Sequence, residues 1–314
     1  MNFIFEIMLC LKQGKRGGLM ELNHKNMELI RKWMYRNARP LTLARWKYHF
    51  EGGSNMEVIK ILSVYQNEDG GFGHALEEDS WNPASSPIET NRAVEILREV
   101  GYMDKNSVII KGILSYLESR KDFKNNRWLR TLPGNNGYPH APWWKHADGV
   151  EDNAEYNPTA SLLEFLLRYG DTESETYLLG LNILEELKES LFRYEDIGMH
   201  DVICLVALEE YLDEELLYEA VDNVIEKDPA KWGGYNARPS LFIRSKGHPL
   251  YRAHQELILE EISYLLNSRN EEGIWEISWS WDAYIKEFAI AENWWKGEVA
   301  IENLLFLDGM DALT

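Results

Sequence analysis

The stretch Gln66-Asn-Glu-Asp-Gly-Gly-Phe-Gly-His74 decides how the chain is read. A phosphate-cradling glycine loop follows a buried strand and opens a helix, with Gly-x-Gly-x-x-Gly or a Lys-Ser/Thr ending. Neither condition holds here. The segment before it carries Met56, Val58, Ile59, Ile61, Leu62, Val64 and Tyr65, mainly one broad helical face. The loop therefore closes a helix and turns the chain, and its glycines are expected to bind nothing.

Outward from this turn, helical patterns follow one another nearly to the end of the chain. The spacing predicts helices over 28–50, 55–66, 86–100, 106–120, 157–169, 173–191, 198–212, 214–228, 253–268 and 294–307. No strand-like alternation runs long enough to build a sheet, so the expected class is all-α. Short polar turns such as Gly101-Tyr-Met-Asp-Lys-Asn106 alternate with long loops rich in Gly, Pro, Trp and Asn. Stacked helical hairpins produce that rhythm. Two echoes support repetition: Trp81-Asn-Pro-Ala-Ser-Ser86 against Tyr156-Asn-Pro-Thr-Ala-Ser161, and Asn37-Ala-Arg-Pro40 against Asn236-Ala-Arg-Pro239. Pro suits a helix start because its missing N–H would have no intrahelical partner there. No linker interrupts the pattern, so residues 20–314 read as one domain.

Composition sets outer limits. The 314 residues are 45% apolar and 27% charged, with a net charge of -19. That charge repels a nucleic-acid backbone and an anionic membrane surface. Two cysteines make no disulfide framework, and Cys204, inside Asp201-Val-Ile-Cys-Leu-Val-Ala-Leu208, reads as a small core residue suited to a reducing cytoplasm. The run at residues 1–11 is apolar for about half a membrane span, contains Glu6, and precedes rather than follows Lys12, Lys15 and Arg16. It makes a poor secretory signal, and no integral membrane insertion is expected. Arg16-Gly17-Gly18 before Met20 is what AGGAGG, a bacterial ribosome-binding sequence, yields when read in frame. Residues 1–19 are thus expected to be upstream leader, with a short flexible or amphipathic extension as the alternative. N-terminal mass analysis of the native protein decides between them.

Gln66, Gly70 and Phe72 resemble the Gln-x(2-5)-Gly-x-Trp repeat of the terpenoid cyclases (squalene and hopene cyclases), with Phe for Trp. Asn270-Glu-Glu-Gly273-Ile-Trp275 is a looser version, with Asn for Gln. Protein prenyltransferase β subunits carry similar Asp-Gly-Gly-Phe turns. The resemblance implies an α/α toroid of about five to six helical hairpins, with inner and outer helices around a central cavity. It also implies an isoprenoid cyclase or isomerase using an acid and a hydrophobic small-molecule partner; from the motifs present, no metal or other cofactor is expected. The chain lacks the Asp-x-Asp-Asp of class II cyclases and the Asp-Asp-x-x-Asp that binds magnesium, and its two cysteines do not supply the prenyltransferase zinc set.

Acidic residues recur where long loops approach the helices: Glu77-Glu78-Asp79 before Trp-Asn-Pro, Asp148, Glu151 and Asp152 before Tyr-Asn-Pro, and Glu195, Asp196 and Asp201. Carboxylates near helix N-termini commonly serve as caps. One that faces a desolvated cavity would have a raised pKa and could act as a general acid. Asp79 and Asp152, with Glu78 and Glu151 beside them, are the catalytic candidates. The substrate-contact candidates are Trp81, His140, Trp143, Trp144, Tyr156, Trp279, Trp281 and Trp295, whose rings either pack in the core or line a cavity where they could stabilise a cation or stack on a sugar. His140, His146 and Asp148 match no metal-ligand spacing. Arg39, Arg45 and Lys47 could meet an anionic substrate or pair with structural acids. Three functions follow: an isoprenoid cyclase-like enzyme, a carbohydrate-active enzyme with paired carboxylates, and a non-catalytic scaffold.

Overall fold

A computed structural model describes residues 21–147, 156–193 and 197–313. The expected leader, Asp148, Glu151, Asp152, Glu195 and Asp196 lie outside the described residues. What is described is all-α: eleven α-helices joined by turns and short 3-10 segments, with one small hairpin.

The helices are α1 (His24–Asn37), α2 (Pro40–Phe50), α3 (Asn55–Leu62), α4 (Pro87–Glu99), α5 (Val108–Ser119), α6 (Thr159–Tyr169), α7 (Glu175–Arg193), α8 (Met199–Val206), α9 (Glu214–Val224), α10 (Gln255–Asn267) and α11 (Ile285–Gly309). Two expected boundaries need correction. The 28–50 segment is two helices, because Pro40 forces Arg39 out of the helical region, to ψ 158. The last helix begins at Ile285 rather than near 294. Its apolar residues follow no single face because it is packed on several sides. The hairpin pairs β1 (Phe123–Lys124) with β2 (Arg127–Trp128). Its turn residues Asn125 and Asn126 both hold positive φ, as a two-residue hairpin turn requires.

Side-chain caps start many of these helices: Asn23, Ser54, Ser86, Ser107 and Asp213 each accept from a backbone N–H of the first turn. α2 packs on α3, and α6 touches α4, α5, α7 and α8. α11 returns to pack on both α1 and α2, and Leu22 N donates to Ala312 O at 2.9 Å. One large core runs through Met34, Trp46, Leu62, Phe72, Leu97, Ile113, Phe165, Leu205 and Leu304, with Cys204 buried within it. Each such side chain contributes roughly 1.5–3 kcal/mol by leaving water. A smaller cluster joins Ile88, Ala141, Trp144, Trp281 and Ala291, with Trp81 and Phe288 against it.

The opening stretch joins α3 to α4 and is a packed corner. Gln66 Nε2 donates to Gly70 O at 2.9 Å and to Ile109 O at 3.0 Å, tying the turn to α5. Gly70 has φ +88, and a Cβ there would lie 2.0 Å from Gly112 O, so two backbones meet where only glycine fits. Phe72 is fully buried. The second corner repeats the backbone with a shifted register. Asn67 N bonds Gly71 O and Gly70 N bonds Asn67 O; Asn270 N bonds Ile274 O and Gly273 N bonds Asn270 O. Asn270 is thus the counterpart of Asn67, not of Gln66, and Trp275 stands where Phe72 does.

The Asn-Ala-Arg-Pro echo is structural as well. Both prolines open a helical turn after an extended arginine. Arg39 pairs with the buried Glu78, and Arg238 Nε lies 3.2 Å from the buried Glu261 Oε1. The Trp-Asn-Pro echo is looser: Tyr156-Asn-Pro leads straight into α6, whereas Trp81-Asn-Pro lies four residues before α4.

Candidate active site

Residues 75–82 form a loop whose backbone is pinned on several sides. Arg39 donates to Ala75 O at 2.8 Å and Leu76 O at 2.9 Å and also meets the Glu78 carboxylate. Glu77 N donates to Glu89 Oε2 at 2.7 Å, in the first turn of α4. Ala141 N bonds Asp79 O at 2.9 Å, and Trp81 N bonds Pro139 O at 3.0 Å. These acids do not cap α4, whose N-cap is Ser86. They are fixed inside the protein.

Asp79 is 2% exposed. Its Oδ1 accepts the indole N–H of Trp281 at 2.8 Å, and no Lys or Arg among the described residues forms an ion pair with it. Burial pushes its carboxyl up to about 6, against the opposing pull of the Trp281, Trp295 and Trp279 indoles. The N–H groups of Trp279 and Trp295 make no hydrogen bond of good geometry. Half-buried Glu77 is raised well above the usual carboxylate range, by desolvation first and then by the charges of Glu78 and Asp79. Glu78 and Glu89 are also raised, chiefly by burial. Glu78 Oε2, Glu89 Oε1, Arg39 Nε and Arg92 Nε have no hydrogen-bond partner.

Tyr235 stands at the edge. It is 56% exposed, yet its phenol is pushed up to about 12, by desolvation and then by Glu77 and Asp79. It is close enough to Glu77 and Asp79 for their charges to act on its phenol. Its ring meets Trp279 edge-on at 5.6 Å, and Trp279 meets Trp295 at 5.3 Å. Behind them, Trp81 stacks on Trp294 at 5.4 Å and meets Trp281 at 6.3 Å.

The fold brings together Glu78, Asp79, Trp81, Trp144, Trp279, Trp281 and Trp295 from the sequence-based candidates. His140 lies beside them, bridged to Ser80 and 5.6 Å from the Tyr284 ring. Trp143 is 39% exposed and makes no ring contact with this group. Tyr156 is placed elsewhere: its hydroxyl donates to Ser190, and the Arg127 guanidinium lies over its ring at 4.7 Å. Asp201 holds the backbone N–H groups of Tyr156 and Asn157, a structural role. Arg39 and Arg45 pair with internal acids. Sequence reasoning missed Glu89, Arg92, Tyr235 and Phe288, and took Trp294 only as one of several tryptophans around the last hairpin. Trp294 and Glu89 had local signals, as a Trp-Trp pair and as a first-turn acid; Tyr235 had none.

Comparison with protein-family models, with curated proteins and with solved structures gave no match.

Proposed function

We propose that this chain is an α/α toroid enzyme that moves a proton between Glu77 and Asp79 and a polar small molecule. Support for a ring comes from the last helix packing on the first two and from two corners with the same hydrogen bonds. The observation that carries the activity is the pair of acids on one pinned loop, with Asp79 held by an indole donor and by no cation. Their environments differ, which divides the roles. Indole N–H groups favour the carboxylate form of Asp79, so it is the base or nucleophile at neutral pH. Burial, and then the charges of Glu78 and Asp79, favour the protonated form of Glu77, which suits it to the role of the acid.

A carboxyl poised near 6 suits proton exchange with oxygen or nitrogen. An alkene is a much weaker base and calls for a stronger acid. The ring faces that would stabilise a carbocation are also engaged: Trp81 and Trp294 stack together, and Arg39 lies 5.5 Å over Trp294. The unpartnered polar atoms around the loop favour a polar substrate. Two acids beside indole rings fit a carbohydrate, with Glu77 protonating the leaving oxygen and Asp79 activating water or attacking the sugar carbon.

The test is incubation with a panel of glycosides and, in parallel, prenyl diphosphates and squalene-like alkenes, with products read by mass spectrometry. Glycoside turnover that disappears in both Glu77→Gln and Asp79→Asn is expected. Isoprenoid products alone would restore the cyclase reading, and unchanged substrates in every arm would leave a binding scaffold.

A further inference from the structure

A recess lies between the 239–241 turn and the C-terminal half of α11. Asn236, Arg238, Ser240, Arg244, Glu302 and Asn303 line a space of about 70 Å³, enough for a small anionic head group. Asn303 is 3% exposed. Its Oδ1 accepts from Arg238 Nη2 at 3.2 Å, which fixes the orientation of the amide. Its Nδ2 is then left without any partner. Arg238 is anchored in turn by Glu261, which also accepts from Ser240 N at 2.8 Å.

Arg244 adds a second guanidinium. Among the described residues it has no carboxylate within ion-pair distance, in a chain with 52 acidic and 33 basic residues. A buried amide donor and an unpaired arginine around one small space lack a common acceptor. We infer that this recess binds a small oxyanion, a phosphate or carboxylate group, through Arg244, Arg238 and Asn303. Glu302 lines the same space and is placed to accept a hydroxyl from the molecule that carries the anion.

The recess is near the candidate acids. Trp295 and Asn303 share α11, and their eight-residue separation corresponds to a rise of about 12 Å. Arg92 senses both Glu78 of the acidic loop and Glu302 of the recess, so both adjoin one charged interior. Taking the anion as a group on the substrate of Glu77 and Asp79 rests on the reading above; anion binding itself does not.

Thermal unfolding in inorganic phosphate or acetate, against sodium chloride of matched ionic strength, tests the site. The wild-type chain and Asp79→Asn should both gain about 2 °C in Tm at tenfold the dissociation constant. Exposed Arg244 can be replaced without disturbing the core, and Arg244→Ala and Arg244→Glu should lose the gain. A response to phosphate alone assigns a phosphoryl group, and one to acetate assigns a carboxylate. No response to either anion, or the same response in both Arg244 variants, overturns the site. Retained anion binding in Asp79→Asn without turnover separates the recess from the chemistry.

Discussion

Asp79 gains reactivity from the same burial that makes its charge costly. Its carboxyl lies near 6 in the folded chain against an ordinary value of 3.8. The native state therefore holds a proton that the unfolded chain has released between about pH 4 and 6, and stability falls as pH rises across that window. Above it, the ionised group costs at most about 3 kcal/mol, from the difference of roughly two pKa units. Asp79→Asn removes this titration. Relative to wild type, it should be more stable at pH 7.5 than at pH 4 while losing turnover; denaturant midpoints at the two pH values measure the difference. A gain independent of pH would mean that Asp79 titrates in the folded chain as it does in the unfolded one. Asp79 was legible in the sequence because an acid run leads into an aromatic-Asn-Pro. Trp143 was equally conspicuous but faces solvent, since a loop tryptophan's surroundings depend on segments remote in sequence. Tyr235 stood out for nothing local and joins the site through the Trp279 ring and through charges more than 150 residues away.

At the scale of elements, the corner at Gly70 should be far less tolerant than its counterpart at Gly273. Both have positive φ, +88 and +83, so alanine strains both. At Gly70 the new Cβ would also enter the Gly112 carbonyl at 2.0 Å, whereas at Gly273 it approaches the Leu29 Cβ at 3.1 Å, a contact relieved by a shift of a few tenths of an ångström. Gly70→Ala is expected to cost about 3 kcal/mol or more and Gly273→Ala about 1 kcal/mol, read by chemical denaturation. Gln66→Ala should fall between them, near 2 kcal/mol, by leaving the Gly70 and Ile109 carbonyls without their shared donor. Equal losses at the two glycines would remove the close approach to α5 as the cause. These corners and most helix ends were readable because caps, glycines and apolar faces are local signals. The start of α11 was not, because a helix touched on several sides shows no apolar stripe. The one-residue shift between the corners was hidden because Gln66 and Asn67 are both amides, and only the hydrogen bonds tell them apart.

At the scale of the molecule, helices far apart in sequence meet at Glu298 of α11. Its fully buried carboxylate accepts from Thr42 at 2.5 Å, meets Arg45 of α2 and lies 2.5 Å from Arg92 of α4. These partners are more than 200 residues away in sequence, which is why periodicity and motifs could not reveal the contact. Burial alone would raise this carboxyl, but Arg45, then Arg92 and Arg39, hold it down at about 2. Its stabilising effect is therefore present above the unfolded value near 4.5 and is lost as pH falls toward 2. Glu99, held low by Arg45 and His49 against the effect of burial, acts in the same direction. Glu78 and Asp79 act oppositely and favour the folded state as pH falls through about 7 and about 6, and Glu77 and Glu89, also raised by burial, act in the same direction. Stability should therefore rise from pH 8 to a maximum near pH 5 and collapse below pH 4. Glu298→Gln leaves two interior guanidiniums short of a counter-charge and is expected to cost about 3–5 kcal/mol at pH 7. It should also flatten the decline between pH 4.5 and 2 while leaving the alkaline side unchanged. Unfolding measured across pH 2–8 for both proteins tests this division, and a variant curve parallel to wild type at every pH would mean that Glu298 does not titrate against these arginines.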